Sequence, residues 1–314
     1  MVDTVYFLIY YINMHDINRH IKKRLLTSLQ HFPAAALLGP RQCGKTTLAH
    51  EIAAIIDKPC HYLDLENASD IRKLDDAVGY LESLSDKLVI IDEVQHRENL
   101  FPEIRGIIDK GRREGLKSGR FLFLGSASHE LLKQSGESLA GRIAYHELTP
   151  FRTTEVEQDD IDRLWSRGGF PDSFLTKDSS ISNEWRKNFI DTYLTKDLTY
   201  MGKVSSVPAL KNLLQMTAHL HGQTLNISNL VESHDFSRQQ ISNYLNLFEQ
   251  TYSIRRLQPY YANVGKRLVK SPKLFIRDSG ILHYLLGIKD FDYLSGHPSR
   301  GVSWEGFAIE QIIA

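Results

Sequence analysis

Gly39-Pro40-Arg41-Gln42-Cys43-Gly44-Lys45-Thr46-Thr47 fits the spacing G-x-x-x-x-G-K-[ST]. Two glycines let a backbone bend until successive N–H groups converge on an anion, and a helix entered at that point adds the positive end of its dipole. In such a cradle Lys45 reaches the β- and γ-phosphates, and the Thr46 hydroxyl sits on Mg²⁺. The chemistry implied is capture of a magnesium–nucleoside triphosphate. A glycine-rich turn into an ordinary helix is the plain alternative. Context weighs against it, because the apolar run Ala34-Ala35-Ala36-Leu37-Leu38 precedes the loop and a helical pattern from Thr46 through Ile56 follows.

Asp92-Glu93 closes a second apolar run, Leu88-Val89-Ile90-Ile91. A hydrophobic strand ending on two acids, downstream of a phosphate loop, suits metal–nucleotide chemistry. Asp92 is placed to hold Mg²⁺, usually through water, and Glu93 to orient and deprotonate an attacking water. Taken alone, the pair could equally be a strand followed by an acidic helix cap. A third apolar run, Phe121-Leu122-Phe123-Leu124, ends on Gly125-Ser126. Ligands of open α/β sheets lie beyond the carboxyl ends of the strands, so Ser126 either senses the γ-phosphate or caps the next helix. Arg142 is a candidate to neutralise developing phosphate charge, in its own subunit or a neighbour's. A surface arginine at a helix end is its bland reading.

These residues need a frame. Strands near 34, 61, 88 and 121, separated by helical patterns at Thr46–Ile56, Ile71–Leu84 and Asn99–Arg113, predict a doubly wound parallel sheet, with an edge strand at Ala144–Leu148. Ahead of it, Ile17, Ile21, Leu25 and Leu29 recur by four in an amphipathic helix, and Arg19, Lys22, Lys23 and Arg24 read as its solvated face.

Lys+Arg and Asp+Glu number 38 each, so no global basic field points to nucleic acid. Two cysteines, Cys43 and Cys60, form no disulfide framework or zinc spacing, which suits a reducing, cytoplasmic setting. The apolar block Val5–Ile12 is too short for the roughly 20 residues of a spanning helix. Met14 looks a more natural beginning, which makes 1–13 a start-codon artefact; an anchor is the sharper alternative.

Past Thr149-Pro150-Phe151 the pattern changes. Residues 153–202 read as a helical connector, with Trp185, Phe189, Tyr193 and Leu194 on one face of a long helix. Then come a helix at Ala209–Leu220, a short helix capped by Ser228, a helix at Arg238–Gln250 capped by Ser237, and paired strands at Ile254–Leu257 and Lys273–Ile276. That order predicts a winged helix. Arg238, Gln239, Gln240 and Asn243 could read bases, and Arg255, Arg256, Lys266, Arg267, Lys270 and Lys273 could hold phosphates. Winged helices also dock proteins. The last residues, Trp304–Ala314, form an apolar helix with no closing turn, as expected of a chain that continues.

Together the motifs resemble the prokaryotic AAA-type (AAA+ superfamily) P-loop ATPases whose C-terminal region is a domain of unknown function. In that family a winged helix runs into a restriction-endonuclease-like fold. Gly39–Thr47, Leu88–Gln95, Gly125-Ser126, Leu139–Arg142 and Glu147–Phe151 match the ATPase half. Gly168–Pro171, Tyr193–Leu198, Ser271–Leu282 with Asp278-Ser279-Gly280, and Trp304–Ile312 match the second. The resemblance implies ATP with Mg²⁺, Walker A and B roles for the residues above, a polar sensor at Ser126 and an arginine finger at Arg142. It also allows a homo-oligomer. Glu98 departs from a proline common in relatives, and the family's later acidic and lysine positions are absent, so cleavage is not expected.

The expected division is an extension (1–16), a P-loop ATPase domain (17–152), the connector (153–202), a winged-helix domain (203–280) and the start of a nuclease-like region (281–314). The expected function is an ATPase switch coupled to a partner- or DNA-binding winged helix. A DNA-binding regulator that binds nucleotide without turnover is the alternative. A P-loop kinase fits less well, because Asp92-Glu93 suits water activation and no arginine-rich lid is visible.

Overall fold

The structure, a computed structural model, describes residues 17–97, 99–126, 139–198, 206–232, 236–260 and 271–313. The described residues divide into two compact units, Asn18–Thr149 and Pro150 onward, the latter joined by Ile17. The connector and the segments after it therefore share one unit. Among the described residues no helix is long and apolar enough to cross a membrane.

In the first unit, β1 (Ala34–Leu38), β2 (Cys60–Asp64), β3 (Leu88–Asp92), β4 (Phe121–Gly125) and β5 (Ile143–Glu147) form one sheet. Its order is β2-β3-β4-β1-β5, and every pairing is parallel. β1, β3 and β4 are buried along their whole length, which is why their sequences are apolar without alternation. Because β1 lies between β4 and β5, the chain leaves it for the far edge and returns strand by strand. That reversal opens a crevice at the carboxyl end of β1.

The flanking helices are α1 (Ile21–His31), α2 (Lys45–Ile55), α3 (Ala68–Lys73), α4 (Ala77–Glu82) and α5 (Leu100–Arg113). α5 turns Leu100, Phe101, Ile104, Ile107 and Ile108 inward, each worth about 2 kcal/mol on burial. The single helix expected over Ile71–Leu84 is instead two. Asp76 accepts a hydrogen bond from Gly79 N and starts α4 afresh, as a short acidic side chain does at an N-cap.

The second unit is mainly helical. It contains α6 (Ile161–Arg167), α7 (Pro171–Leu175), α8 (Ser179–Thr192) running into a π-turn at Tyr193–Asp197, α9 (Val207–His219), α10 (Ile227–Glu232) and α11 (Arg238–Gln250). The antiparallel pair β6 (Ile254–Leu257) and β7 (Lys273–Ile276) follows, then α12 (Ser279–Leu285), α13 (Phe291–Gly296) and α14 (Arg300–Ile313). Phe151, Leu164, Trp165, Phe174, Ile288, Leu294 and Phe307 form one of its cores. Trp185, Phe189 and Tyr193 stack in succession along α8, with Phe170 against the first two. Ser237 caps α11 in a reciprocal box with Gln240. Ser228 does not cap α10; its own amide donates to Asn226 Oδ1, which takes the capping place.

Candidate functional site

The loop from Gly39 to Gly44 joins the buried end of β1 to α2. Gly44 holds φ at +98°, a left-handed turn that admits glycine without strain. Gln42 is also left-handed, at φ +58°. A side chain at Gly39 would put its Cβ 2.1 Å from the carbonyl oxygen of Leu148, so only glycine lets the loop pass β5. The amides of Gln42 and Gly44 donate to no backbone carbonyl among the described residues. Gly44 gives α2 no side-chain cap, which leaves the first amides of the helix available as well. Pro40 is buried, Arg41 pairs with Glu66, and the Cys43 thiol, fully buried, lies 3.4 Å from the Leu148 carbonyl. Burial pushes that thiol up from its ordinary range despite nearby Lys45 and Arg19, so it stays protonated.

Lys45 is buried, and its Nζ donates to the carbonyls of Gly39 (3.0 Å) and Pro40 (2.8 Å) and lies 3.4 Å from Ser126 Oγ. Thr46, on the exposed side of α2's first turn, donates its hydroxyl to Asp92 Oδ2 at 2.8 Å. Thr47, the next residue, is partly buried. Asp92 ends β3, and its other oxygen accepts the Glu93 amide at 2.9 Å.

Glu93 turns out of the strand with φ +51°, an unusual angle for a residue with a side chain. Its carboxylate accepts Ser126 Oγ at 2.8 and 3.0 Å and the amide of Gln95. Burial alone would raise its pKa. The charge of Lys45 and the bonds from Gln95 and Ser126 outweigh burial and hold it below the usual carboxylate range. Glu93 is therefore ionised at neutral pH. Lys45, Thr46, Asp92, Glu93 and Ser126 thus converge at the carboxyl ends of β1, β3 and β4.

Arg142 is not among them. It precedes β5, its carbonyl accepts the amide of Ala34, and it sits at the opposite end of the sheet from the loop. Five strand residues separate the two ends, roughly 16 Å. Its guanidinium makes a bidentate pair with Asp109, at 2.7 and 3.0 Å. Within its own chain it does not reach the loop, because the residue before a parallel strand lies at that strand's amino end.

Three contributors escaped the sequence reading. Arg19 precedes α1 rather than lying on its solvated face. It is 6% exposed, and it donates to the carbonyls of Cys43 (3.0 Å) and Thr149, pinning the loop from below. Tyr62 on β2 donates its hydroxyl to Asp92 Oδ2, and burial first, then that bond, pushes its pKa up. His50 of α2 stacks on its ring at 5.0 Å. Gln95 is the third. A tyrosine on a parallel strand two residues short of its acidic end was the available signal for Tyr62; nothing in the pattern singled out Arg19.

Residues 31–157 match the family profile described as an AAA domain. The amino-terminal unit is an AAA domain. Residues 158–292 match a profile described as a domain of unknown function (DUF8612). An uncharacterized protein of Mycobacterium tuberculosis is 39% identical over 296 residues, 94% of this chain and 66% of its own length. An uncharacterized protein of Methanocaldococcus jannaschii is 26% identical, with 83% of this chain and 63% of its own covered. The chain thus spans about two thirds of the length of these relatives. A Walker-type ATPase of Pyrococcus abyssi shares the fold at a TM-score of 0.57 and 15% identity, covering 86% of this chain and 96% of its own.

The AAA domain's own geometry fits a magnesium–triphosphate. The amides of Gln42 and Gly44, which no described carbonyl takes, and an uncapped helix start lie next to Lys45 in the chain, and an adjacent hydroxyl–carboxylate pair, Thr46 and Asp92, offers the hard oxygen donors Mg²⁺ takes.

In the second unit the described cations expected to hold phosphates are committed elsewhere. Arg255 and Arg277 hold the buried Glu310, Arg256 holds Glu249, and Lys273 pairs with Glu305 at 2.8 Å. Lys266, Arg267 and Lys270 lie outside the described residues. On α11, Gln240 serves the capping box, while Gln239 and Asn243 are exposed and bonded to each other.

Proposed function

We propose that this chain binds Mg²⁺–ATP and hydrolyses it, and that nucleotide turnover governs a partner-binding winged helix built from α9, α10, α11, β6 and β7. The observation that carries the reading is the 2.8 Å bond from Thr46 to Asp92 beside the buried ammonium of Lys45. Two motifs distant in sequence meet where a triphosphate's metal and charge need them.

The loop amides and Lys45 would grip the phosphates and neutralise charge as it moves toward the β–γ bridging oxygen. Mg²⁺, held by Thr46 and Asp92, would supply further neutralisation there. Glu93, already ionised, would accept the proton of the water whose oxygen bonds to the γ-phosphorus as the β–γ bond breaks. Releasing Ser126 or Gln95 would free Glu93 to turn toward that water, so Ser126 would both set the resting position of the base and sense the γ-phosphate. Arg142 could act on a neighbouring copy only after leaving Asp109. The partner of the winged helix is a protein or DNA; the pairing of its cations with its own carboxylates weakens the DNA case.

The test is phosphate release and nucleotide affinity for native protein and Glu93→Gln. Native turnover, with a loss of about 100-fold in the variant and unchanged affinity, is expected. No measurable affinity for ATP or GTP with Mg²⁺ present would sink the reading. A second reading, a DNA-binding regulator that holds nucleotide without turnover, is favoured by the occupied oxygens of Glu93. Tight binding with no native phosphate release would select it.

A further inference from the structure

We propose that the amino end of the same sheet carries a second ligand site, a recess that takes a small monocarboxylate on Arg120. This inference does not depend on the nucleotide reading. Arg120 opens β4, and its backbone is fixed by Arg120 N to Pro33 O and Val89 N to Arg120 O, both at 2.9 Å. Its side chain is 2% exposed, with the guanidinium carbon 5.5 Å from the centre of the Phe121 ring. Among the described residues the guanidinium finds no ion pair, and its Nε has no hydrogen-bond partner. Buried arginines without a partner are rare, because stripping water from the charge costs several kcal/mol unless something replaces it.

Arg120 also lines a recess of about 140 Å³, together with Glu82, Ser85, Lys110, Gly111 and Glu114 among others. Gly111 matters here, since a Cβ in its place would come within 2.6 Å of Arg120 Nη1. The volume holds about four water-sized groups, enough for a short organic acid. The chain's own acids, Glu114 and Glu82, act on Arg120 through their charge but do not bond to it. Glu82 is taken by Lys110 at 2.8 Å, and Glu114 stands exposed.

Charge then selects the ligand. Two cations, Arg120 and Lys110, and two carboxylates, Glu82 and Glu114, line the recess, so its walls carry no net charge and a single carboxylate meets less repulsion there than a dianion. A carboxylate also offers the two coplanar oxygens that a guanidinium fork takes side by side.

Acetate titration by calorimetry, in low chloride, tests this on the full chain. Native protein should show saturable binding in the millimolar range, at least about tenfold weaker in Arg120→Met and unchanged in Lys45→Ala. Binding that survives in Arg120→Met, or that vanishes in Lys45→Ala because the anion sits in the phosphate loop, overturns the proposal. So does phosphate binding that displaces acetate at equal concentration, or no saturable heat in the native protein. Uptake seen only in Glu114→Gln would make Glu114 itself the occupant and also overturn it. Should Arg120→Met fail to fold, Lys110→Glu at the exposed rim should weaken acetate about threefold through repulsion; equal affinity there overturns the proposal.

Discussion

Among the described residues, two polar clusters are put together on opposite principles. At the carboxyl end of the parallel sheet, Thr46, Asp92, Glu93 and Ser126 bond chiefly to one another and Lys45 bonds to the loop carbonyls and to Ser126, beside loop amides that no carbonyl takes among the described residues. In the second unit, Arg186, Asp278, His221 and His283 are as buried, yet the backbone and a serine consume their capacity. Asp278 accepts the amides of Gly169 (2.8 Å) and Ile281 (2.9 Å), and Arg186 donates to the carbonyls of Ser182 and Gly280. His221 takes the Ile276 amide and gives to Val302, while His283 gives to Ser166 and takes the Ser303 hydroxyl. Burial and shifted pKa values do not separate a site from a brace. What separates them is whether backbone donors beside the side chains are left unspent, as in the loop, or are consumed by them, as at Asp278.

The contrast breaks most sharply at Asp278. Its replacement by alanine removes the cap of α12 and strands the Gly169 amide, which together cost about 3 kcal/mol of stability. Denaturant unfolding should register that loss while nucleotide affinity stays unchanged. Lys45→Ala should do the reverse, with Mg²⁺–ATP affinity down about 100-fold by fluorescence titration and a much smaller loss of stability than in Asp278→Ala, since removing a buried ammonium offsets part of the cost of leaving Glu93 without its countercharge. Losses of affinity and stability of equal size in either variant would erase the distinction.

Acid sharpens it next. Burial pulls His221 and His283 down to about 4 from an unfolded value of 6.5. The unfolded chain therefore binds protons first, so stability is full above about pH 6.5 and falls as pH drops toward 4. Two such histidines contribute up to about 3 kcal/mol each over that window. Glu93, despite its burial, is held below the usual carboxylate range by the charge of Lys45 and the bonds from Gln95 and Ser126, and takes up its proton later than these histidines do. The second unit should thus loosen between pH 6 and 4.5, by near-ultraviolet circular dichroism, before the nucleotide site loses its base. A flat stability profile there would contradict the neutral, backbone-locked histidines.

Much of the first unit was legible because its signals are local. Apolar runs without alternation marked β1, β3 and β4, and the loop spacing fixed where β1 ends. Position along a strand decided what was missed. Arg142 was offered to the phosphates, although a residue just ahead of a parallel strand must lie at its amino end; the structure starts β5 one residue earlier than the sequence pattern, at Ile143. Arg19 was hidden for a different reason. Helix periodicity spreads cations evenly round α1, and only the start of that helix at Ile21 frees Arg19 to turn under Cys43. In the second unit Gly168–Pro171 and Asp278–Gly280 were noticed as motifs, but their link is made by one carboxylate across 109 residues. No local pattern carries such a pairing.

The smallest effect probes the first cluster from its edge. Tyr62→Phe deletes one hydroxyl donor to Asp92 and leaves the ring stacked on His50. If that hydroxyl aims Asp92, the Mg²⁺ concentration needed to support nucleotide binding should rise about three- to tenfold, the worth of one charge-assisted bond. Affinity for nucleotide without Mg²⁺ should not move, and the unfolding midpoint should shift little. A drop in stability with no change in the Mg²⁺ midpoint would place Tyr62 with the braces of the second unit. The bond from Thr46 would then hold Asp92 alone, and the cluster would owe less to β2 than its geometry indicates.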